Sequence, residues 1–260
     1  MQGEPTQQER SIDRKGGPGH TILLALALAI PAVKVAYTVG GGDHARDVFV
    51  GMELSNWPDV LVGMLLTEPA LGSVFGVVVS RVIFALFAAR GSVPEGSGPA
   101  AAARRVTLTA VNPLAVGVIG ACFYGPWWGL ATGLVAYALR QGVLVEYRAG
   151  RRGRRHRQEG YSPAPWLARF AAAEQGVSLL LTVAALPLLA FASAVDGKAW
   201  TSVLDCQVQE GARATDQHVV ELGRKGNGVV GWSLDTEEVV NGAGCVDTGS
   251  LRVRPAWWSG

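Results

Sequence analysis

Charged residues are scarce in this sequence. Asp, Glu, Lys and Arg make up 17% of its 260 residues, whereas an ordinary soluble domain has about a quarter. The uncharged residues are gathered into long apolar blocks, which a single soluble core does not require. The composition therefore excludes a purely soluble protein and predicts an all-α integral membrane protein.

Recognisable catalytic and metal-binding motifs are missing as well. The sequence has no HExxH metal motif, no GxSxG nucleophile elbow and no phosphate-binding glycine loop with a lysine. The three cysteines include no pair at close metal-ligand spacing. The four histidines lie far apart, at His20, His44, His156 and His218. We therefore expect a protein that is not an enzyme and that has no metal and no cofactor.

The apolar blocks are long enough for about five transmembrane helices at a rise of about 1.5 Å per residue. Pro126 divides the longest block into two spans, because proline ends one helix and begins the next. For the first block a cleaved signal peptide is the alternative, but its length, Pro31 and Lys34 favour an uncleaved helix. Residues 59–67 either begin one long kinked helix or form a separate, partly embedded helix. The expected spans are about 20–40, 59–90, 106–123, 126–147 and 166–195.

Arginine sets the expected orientation. A short loop that holds several guanidinium groups stays on the cytoplasmic side, and eight arginines lie between positions 140 and 169. The short segments on the other side, including a loop expected at 41–58, hold only Arg46. We therefore expect a multi-pass plasma-membrane protein with a cytoplasmic tail at 1–19 and an extracytoplasmic domain at 196–260. The eight arginines are Arg140, Arg148, Arg151, Arg152, Arg154, Arg155, Arg157 and Arg169.

The basic cytoplasmic loop at 148–165 is also expected to contact the bilayer. Anionic lipid headgroups attract basic segments next to a membrane. Nucleic acid is not an expected partner, because no aromatic residues are interleaved with the basic run. The candidate headgroup ligands are Arg151, Arg152, Arg154, Arg155 and Arg157.

The C-terminal region 196–260 is polar and rich in glycine. Its only cysteines are Cys206 and Cys245, and disulfides persist outside the cytoplasm, so we expect these two to pair. Short alternating runs predict strands at 218–222, 229–234 and 250–253, with a hairpin turn at 223–228. We therefore expect a small, β-rich domain closed by a disulfide.

Four charged residues fall inside the expected spans, where a charge is costly unless it is paired or hydrated. The helical rise places Lys34 and Glu68 at similar depth, and Arg81 and Glu174 at another shared depth. Three interpretations stay open for them. They snorkel to or cap helices at the interface, they form structural ion pairs, or they line a path for a substrate or for protons.

Two functions are compatible with these features. The first is a non-enzymatic accessory, assembly or scaffolding subunit whose outer C-terminal domain meets a protein partner. The alternative is a small-molecule permease, or the substrate-binding membrane component of a transporter, that uses the embedded charges. A composition rich in Ala, Gly, Val and Arg is typical of a GC-rich bacterial genome, so we expect a bacterial protein.

Overall fold

A computed structural model describes residues 18–52, 56–89, 98–149, 162–211, 213–226 and 228–259. The chain divides into two compact units. The helical unit is Val62–Ser193, and the terminal unit combines the chain up to Leu61 with Ala194–Gly260. The five candidate headgroup arginines of the basic loop lie outside the described residues, as does the tail up to residue 17.

The helical unit contains most of the chain's long helices. Proline opens four of them, where its missing N–H leaves no helical hydrogen bond unmade. The helices are α3 (Trp57–Thr67), which begins in the terminal unit, α4 (Pro69–Ala89), α5 (Pro99–Tyr124), α6 (Pro126–Arg148), α7 (Pro165–Leu180) and α8 (Leu186–Ala194). Helix α5 begins earlier than the expected span at 106, because Pro99 and the alanines after it favour a helix over a linker.

Three segments of the described chain are long and apolar enough to cross a membrane: Pro69–Ala88, Pro99–Tyr124 and Pro165–Ala194. Large apolar side chains on these helices remain exposed, as in helices that contact lipid; Leu114, for example, is 69% exposed. The expected mostly helical fold with apolar segments compatible with membrane insertion is therefore confirmed, although three segments meet this measure rather than five. Helix α6, which carries Arg140 and Glu146 in its second half, is not among these segments.

Helices α3 and α4 are separated by a one-residue break at Glu68. Pro69 has no N–H and its ring crowds the preceding turn, so the two segments form separate helices rather than one kinked helix. The hydroxyl of Tyr124 on α5 donates to the Leu65 carbonyl at the end of α3. This bond satisfies a carbonyl that the break leaves near the helix end.

Helices α5 and α6 form a tight hairpin. The turn residue Gly125 has a φ of 93°, a conformation that glycine adopts without steric cost, and the expected break before Pro126 is confirmed. Below the turn the backbones come close together. A Cβ added to Gly117 would lie 3.0 Å from the Gly129 carbonyl oxygen, and one added to Gly133 would lie 3.4 Å from the Gly117 Cα. Small residues thus allow close helix packing within this chain.

The segment from α7 to α8 is continuous but contains a π-helical turn at Leu181–Ala185. Pro187 follows this turn in α8. Proline cannot donate to the carbonyl four residues earlier, and its ring clashes with that carbonyl in a regular α-helix. The wider π turn gives the ring room without ending the segment.

The terminal unit begins with α1 (Pro18–Val39) and α2 (Gly42–Gly51). The loop expected at 41–58 is therefore wrong for residues 42–51. Asp43 lies in the first turn of α2, where a carboxylate favours the helix N-terminus, and Ala45 and Val48 are buried on one face. These features outweigh the glycines that made the segment resemble a loop.

The C-terminal domain, residues 196–260, is a closed antiparallel barrel of four strands. The strands are β1 (Val203–Glu210), β2 (Arg213–Lys225), β3 (Gly228–Ser233) and β4 (Val239–Asp247). Each pairs with its neighbour in sequence, and β1 pairs with β4 to close the barrel. The interior holds Leu204, Cys206, Val208, Val219 and Val229. The alternation along β1 matches the period of two expected for a strand with one buried face.

The expected disulfide is confirmed. Cys206 on β1 and Cys245 on β4 are joined, with Cα atoms 4.1 Å apart. The expected strands at 218–222 and 229–234 fall within or close to β2 and β3, but the hairpin turn is shorter than expected, because β2 continues to Lys225. The strand expected at 250–253 is wrong, since this part of the chain contributes only an isolated bridge between Lys198 and Arg252.

Gly242 on β4 should tolerate no side chain, because it lies against the disulfide. An added Cβ would be 2.7 Å from the Cys206 Cβ and 3.1 Å from its sulfur. We expect Gly242→Ala to destabilise the C-terminal domain by about 1–3 kcal/mol through overpacking, measured by thermal unfolding under oxidising conditions. Gly244→Ala creates no such clash, because nothing lies within 4 Å of its added Cβ. A loss of stability in Gly244→Ala would instead come from the positive φ of 62° at that position. Wild-type stability of Gly242→Ala would contradict the packing described.

Candidate functional site

Polar side chains from four helices are gathered inside the helical unit. They come from α4, α5, α6 and α7, which are otherwise largely apolar. A polar or charged side chain is costly inside a membrane-embedded bundle, so a cluster of such side chains is a candidate functional site. The residues are Ser80, Arg81, Asn112, Arg140 and Glu174.

Arg81 and Glu174, which the helical rise places at similar depth, form an ion pair, one of the three interpretations left open by the sequence. Arg81 Nε donates to Glu174 Oε1 at 2.5 Å, and the two side chains are 17% and 1% exposed. Gly142 on α6 makes room for the carboxylate, since a Cβ there would lie 2.6 Å from the Glu174 Cβ. Glu174 Oε2 has no hydrogen-bond partner within the described chain. The pair thus joins α4 to α7 and leaves one buried acceptor unused.

Arg140 is the most unusual residue of the group. Its side chain is buried in the middle of α6, where the two terminal nitrogens donate to the Leu108 and Ser80 carbonyls at 2.9 and 3.0 Å. The guanidinium also lies over the Phe84 ring, 4.8 Å from its centroid. Among the residues that the structure describes, no carboxylate forms an ion pair with Arg140. The Arg140 guanidinium is therefore held by neutral acceptors and has no counterion among the described residues.

Arg140 lines a cleft of about 230 Å³ in the helical unit. The walls are almost entirely apolar, and the other polar lining groups are Thr107 and Asn112. Ser80 donates to the Asn112 Oδ1 at 2.7 Å, which fixes the amide beside the cleft. A ligand with an apolar body and a negatively charged group would complement this lining.

The sequence interpretation placed Arg140 at the edge of the cytoplasmic arginine stretch, whereas the structure places it as a buried residue within α6. Arg140 lies eight residues before the end of α6 at Arg148, about 12 Å inside at the helical rise. Counting that rise, as for Arg81, would have identified it from the sequence. Ser80 and Asn112 gave no comparable signal, since single polar residues in spans are common.

Lys34 in the terminal unit pairs with a residue that the sequence interpretation did not select. Its ammonium lies 2.6 Å from Asp196 Oδ1, and the two side chains are 1% and 8% exposed. Asp196 also accepts the Lys198 backbone N–H at 2.9 Å. Glu68 lies between α3 and α4 in the helical unit, so its pairing with Lys34 stays a prediction.

No protein-family model matches this chain, and neither a curated protein nor a solved structure is significantly similar to it. Function is therefore inferred from the geometry of the two units alone.

Proposed function

We propose that this chain is a non-enzymatic accessory, assembly or scaffolding subunit of a bacterial plasma membrane, and that its C-terminal domain meets a protein partner outside the cytoplasm. The observation that carries the proposal is the buried Lys34–Asp196 pair between α1 and that domain. A domain that only had to stay near the membrane could hang on a flexible linker. Here α1, a span in the topology proposed below, is bonded to the domain by a buried ion pair, which is typical of a surface presented in a fixed orientation.

Three contacts of α1 support this attachment. Besides the Lys34 ion pair, the Tyr37 hydroxyl donates to the Pro255 carbonyl at 3.1 Å. The Thr38 hydroxyl donates to the Lys198 carbonyl at 3.4 Å. Positions 34, 37 and 38 share one face of a helix, so a single face of α1 carries the attachment.

The barrel restricts how a partner binds. Because β1 pairs with both β2 and β4, the four strands close into a barrel. Among the described strands, residues 213–217 of β2 pair with β1 alone, so strand addition is possible only at that end of the β1–β2 hairpin. Elsewhere on the barrel a partner must contact side chains. Apart from Ala214, the exposed side chains described on the β1–β2 hairpin are polar, with Gln207 opposite Asp216. We propose that this hairpin face forms the partner surface.

Photo-crosslinking in intact cells tests the proposal. A photoreactive residue at Gln207 or Thr215, both exposed on the hairpin, should give a discrete protein adduct of constant mass. The control is Val118, which is 55% exposed on α5 and should crosslink to lipid. An absence of protein adducts at Gln207, at Thr215 and at exposed Ala243 on β4 would exclude the partner function.

The proposed topology has five spans, with the N-terminus in the cytoplasm and the C-terminus outside it. It adds α1 and α6 to the three apolar segments. Inclusion of α6 is supported by burial, because Arg140 and Glu146 are each 2% exposed and neither charge faces lipid. The basic loop then lies in the cytoplasm, where its arginines contact anionic headgroups.

Cysteine labelling checks this topology. In a Cys122→Ser background, an impermeant thiol reagent added to intact cells should label Ser250→Cys and miss Gly153→Cys. In permeabilised cells the reagent should label both positions. Labelling of position 153 alone in intact cells would reverse the orientation and contradict the five-span proposal.

A second function, a small-molecule permease or the substrate-binding component of a transporter, is favoured by Arg140 and its cleft. A buried guanidinium without a carboxylate is costly, and a bound organic anion would supply the missing charge. An anion of this class should raise the midpoint of thermal unfolding of the purified protein and should lose the effect in Arg140→Gln. If no anion in a broad panel stabilises the protein, or if the variant responds equally, this function is excluded.

A further inference from the structure

Two adjacent tryptophans lie exposed near the end of the terminal unit. Trp257 and Trp258 are 69% and 59% exposed, in a short 3₁₀ turn at Trp257–Ser259. The same unit buries its other described domain tryptophans, Trp200 at 6% and Trp232 at 2%. Large indole rings left uncovered side by side mark a surface that meets something else.

The chain places this turn at the ends of two helices. The Trp257 N–H donates to the Val195 carbonyl at 3.0 Å, one residue beyond the apolar segment that ends at Ala194. The Pro255 carbonyl, two residues before Trp257, accepts from the Tyr37 hydroxyl. Tyr37 lies two residues before the end of α1. The tryptophan turn is thus hydrogen-bonded to the last turn of α1 and to the residue that follows the apolar segment.

The exposed surface of α1 indicates what surrounds the tryptophan turn. Its side chains Leu28 and Val33 are 54% and 37% exposed, so apolar residues of the same unit face outward below the turn. At the boundary between hydrocarbon and water, indole rings are strongly favoured, because the ring body is apolar and the N–H can reach headgroups and water. A basic side chain, Arg254, lies over Tyr37 at the same position, 5.6 Å from the ring centroid.

We infer that Trp257 and Trp258 seat the C-terminal domain in the headgroup region of the bilayer leaflet on its own side of the membrane. This surface contacts the lipid interface, because the turn is hydrogen-bonded to the last turn of the apolar helix α1 and to Val195, which follows an apolar segment. This inference does not depend on the proposed partner function. If both hold, the tryptophan turn faces the membrane and the β1–β2 hairpin is left for the partner.

Spin labels test the inference. In a Cys122→Ser background reconstituted into lipid nanodiscs, a nitroxide at Trp258→Cys should be relaxed more strongly by oxygen, which concentrates in the bilayer, than by an aqueous nickel chelate. A nitroxide at Val246→Cys is the matched control, because Val246 is apolar and 66% exposed on β4; it should respond more to nickel. Equal access of both labels to nickel overturns the inference and makes the tryptophan turn a surface for protein.

A second measurement needs no label. The fluorescence difference between the Cys122→Ser protein and its Trp257→Phe/Trp258→Phe variant reports these two rings alone. It should be quenched by lipids that carry a doxyl group near the headgroup, and hardly by aqueous acrylamide. Quenching by acrylamide without quenching by lipid overturns the inference, whether or not the partner is found by crosslinking.

Discussion

Replacing Lys34 with methionine should destabilise the terminal unit by about 3–5 kcal/mol, the usual cost of removing one member of a buried ion pair. The loss arises because Asp196 stays buried, with its side chain 8% exposed, and no longer has the ammonium group beside it. Methionine has a similar length and fills the same space, so the effect reports charge rather than volume. The free energy of unfolding in mixed detergent micelles measures it.

The second substitution makes the result specific to the pair. In Lys34→Met/Asp196→Asn the buried charge is removed, while the asparagine oxygen can still accept the Lys198 N–H. The double variant should therefore be more stable than Lys34→Met alone. Glu237→Gln is the control, because the contact between His44 and Glu237 is exposed and its loss should matter little. Additive losses in the double variant would show that the pair does not act as a unit.

Long-range contacts explain what the sequence could not reveal. The sequence places Lys34 within a span, but its partner Asp196 is 162 residues away and lies just beyond the last helix, where an aspartate is ordinary. The sequence interpretation searched for partners at the same depth inside the spans, and so selected Glu68. The Arg81–Glu174 pair was accessible by that search, because both residues lie inside apolar helices.

The strands show the same division. β2 and β3 contain clear alternation around His218 and Val229, and they were predicted in part. β4 was missed because Asn241, Gly242 and Gly244 resemble a turn. The structure explains these glycines, since Gly242 lies against the disulfide and Gly244 has a φ of 62°. Helix α2 was missed for a related reason, because Gly41 precedes it and Gly42 is its first residue.

Arg81→Leu should also destabilise the protein by about 3–5 kcal/mol, in the helical unit. Glu174 would be left at 1% side-chain exposure without the arginine, and the structure describes no hydrogen-bond partner for its Oε2. The cost is raised by Gly142, which packs against the Glu174 side chain and limits its escape. Unfolding in mixed micelles again gives the free-energy change.

The double variant Arg81→Leu/Glu174→Leu distinguishes a structural pair from a functional one. Removing both charges should restore much of the lost stability, since apolar residues can replace a buried pair at little cost. Arg224→Leu is the control, because Arg224 is an exposed arginine paired with Glu221 and should change stability little. If the double variant is as unstable as the sum of the singles, the pair is not the source of the loss. If it recovers its stability and keeps any rise of the unfolding midpoint that an organic anion causes in the wild type, Arg81 and Glu174 are structural. Arg140 is then left as the charge that a substrate path would use.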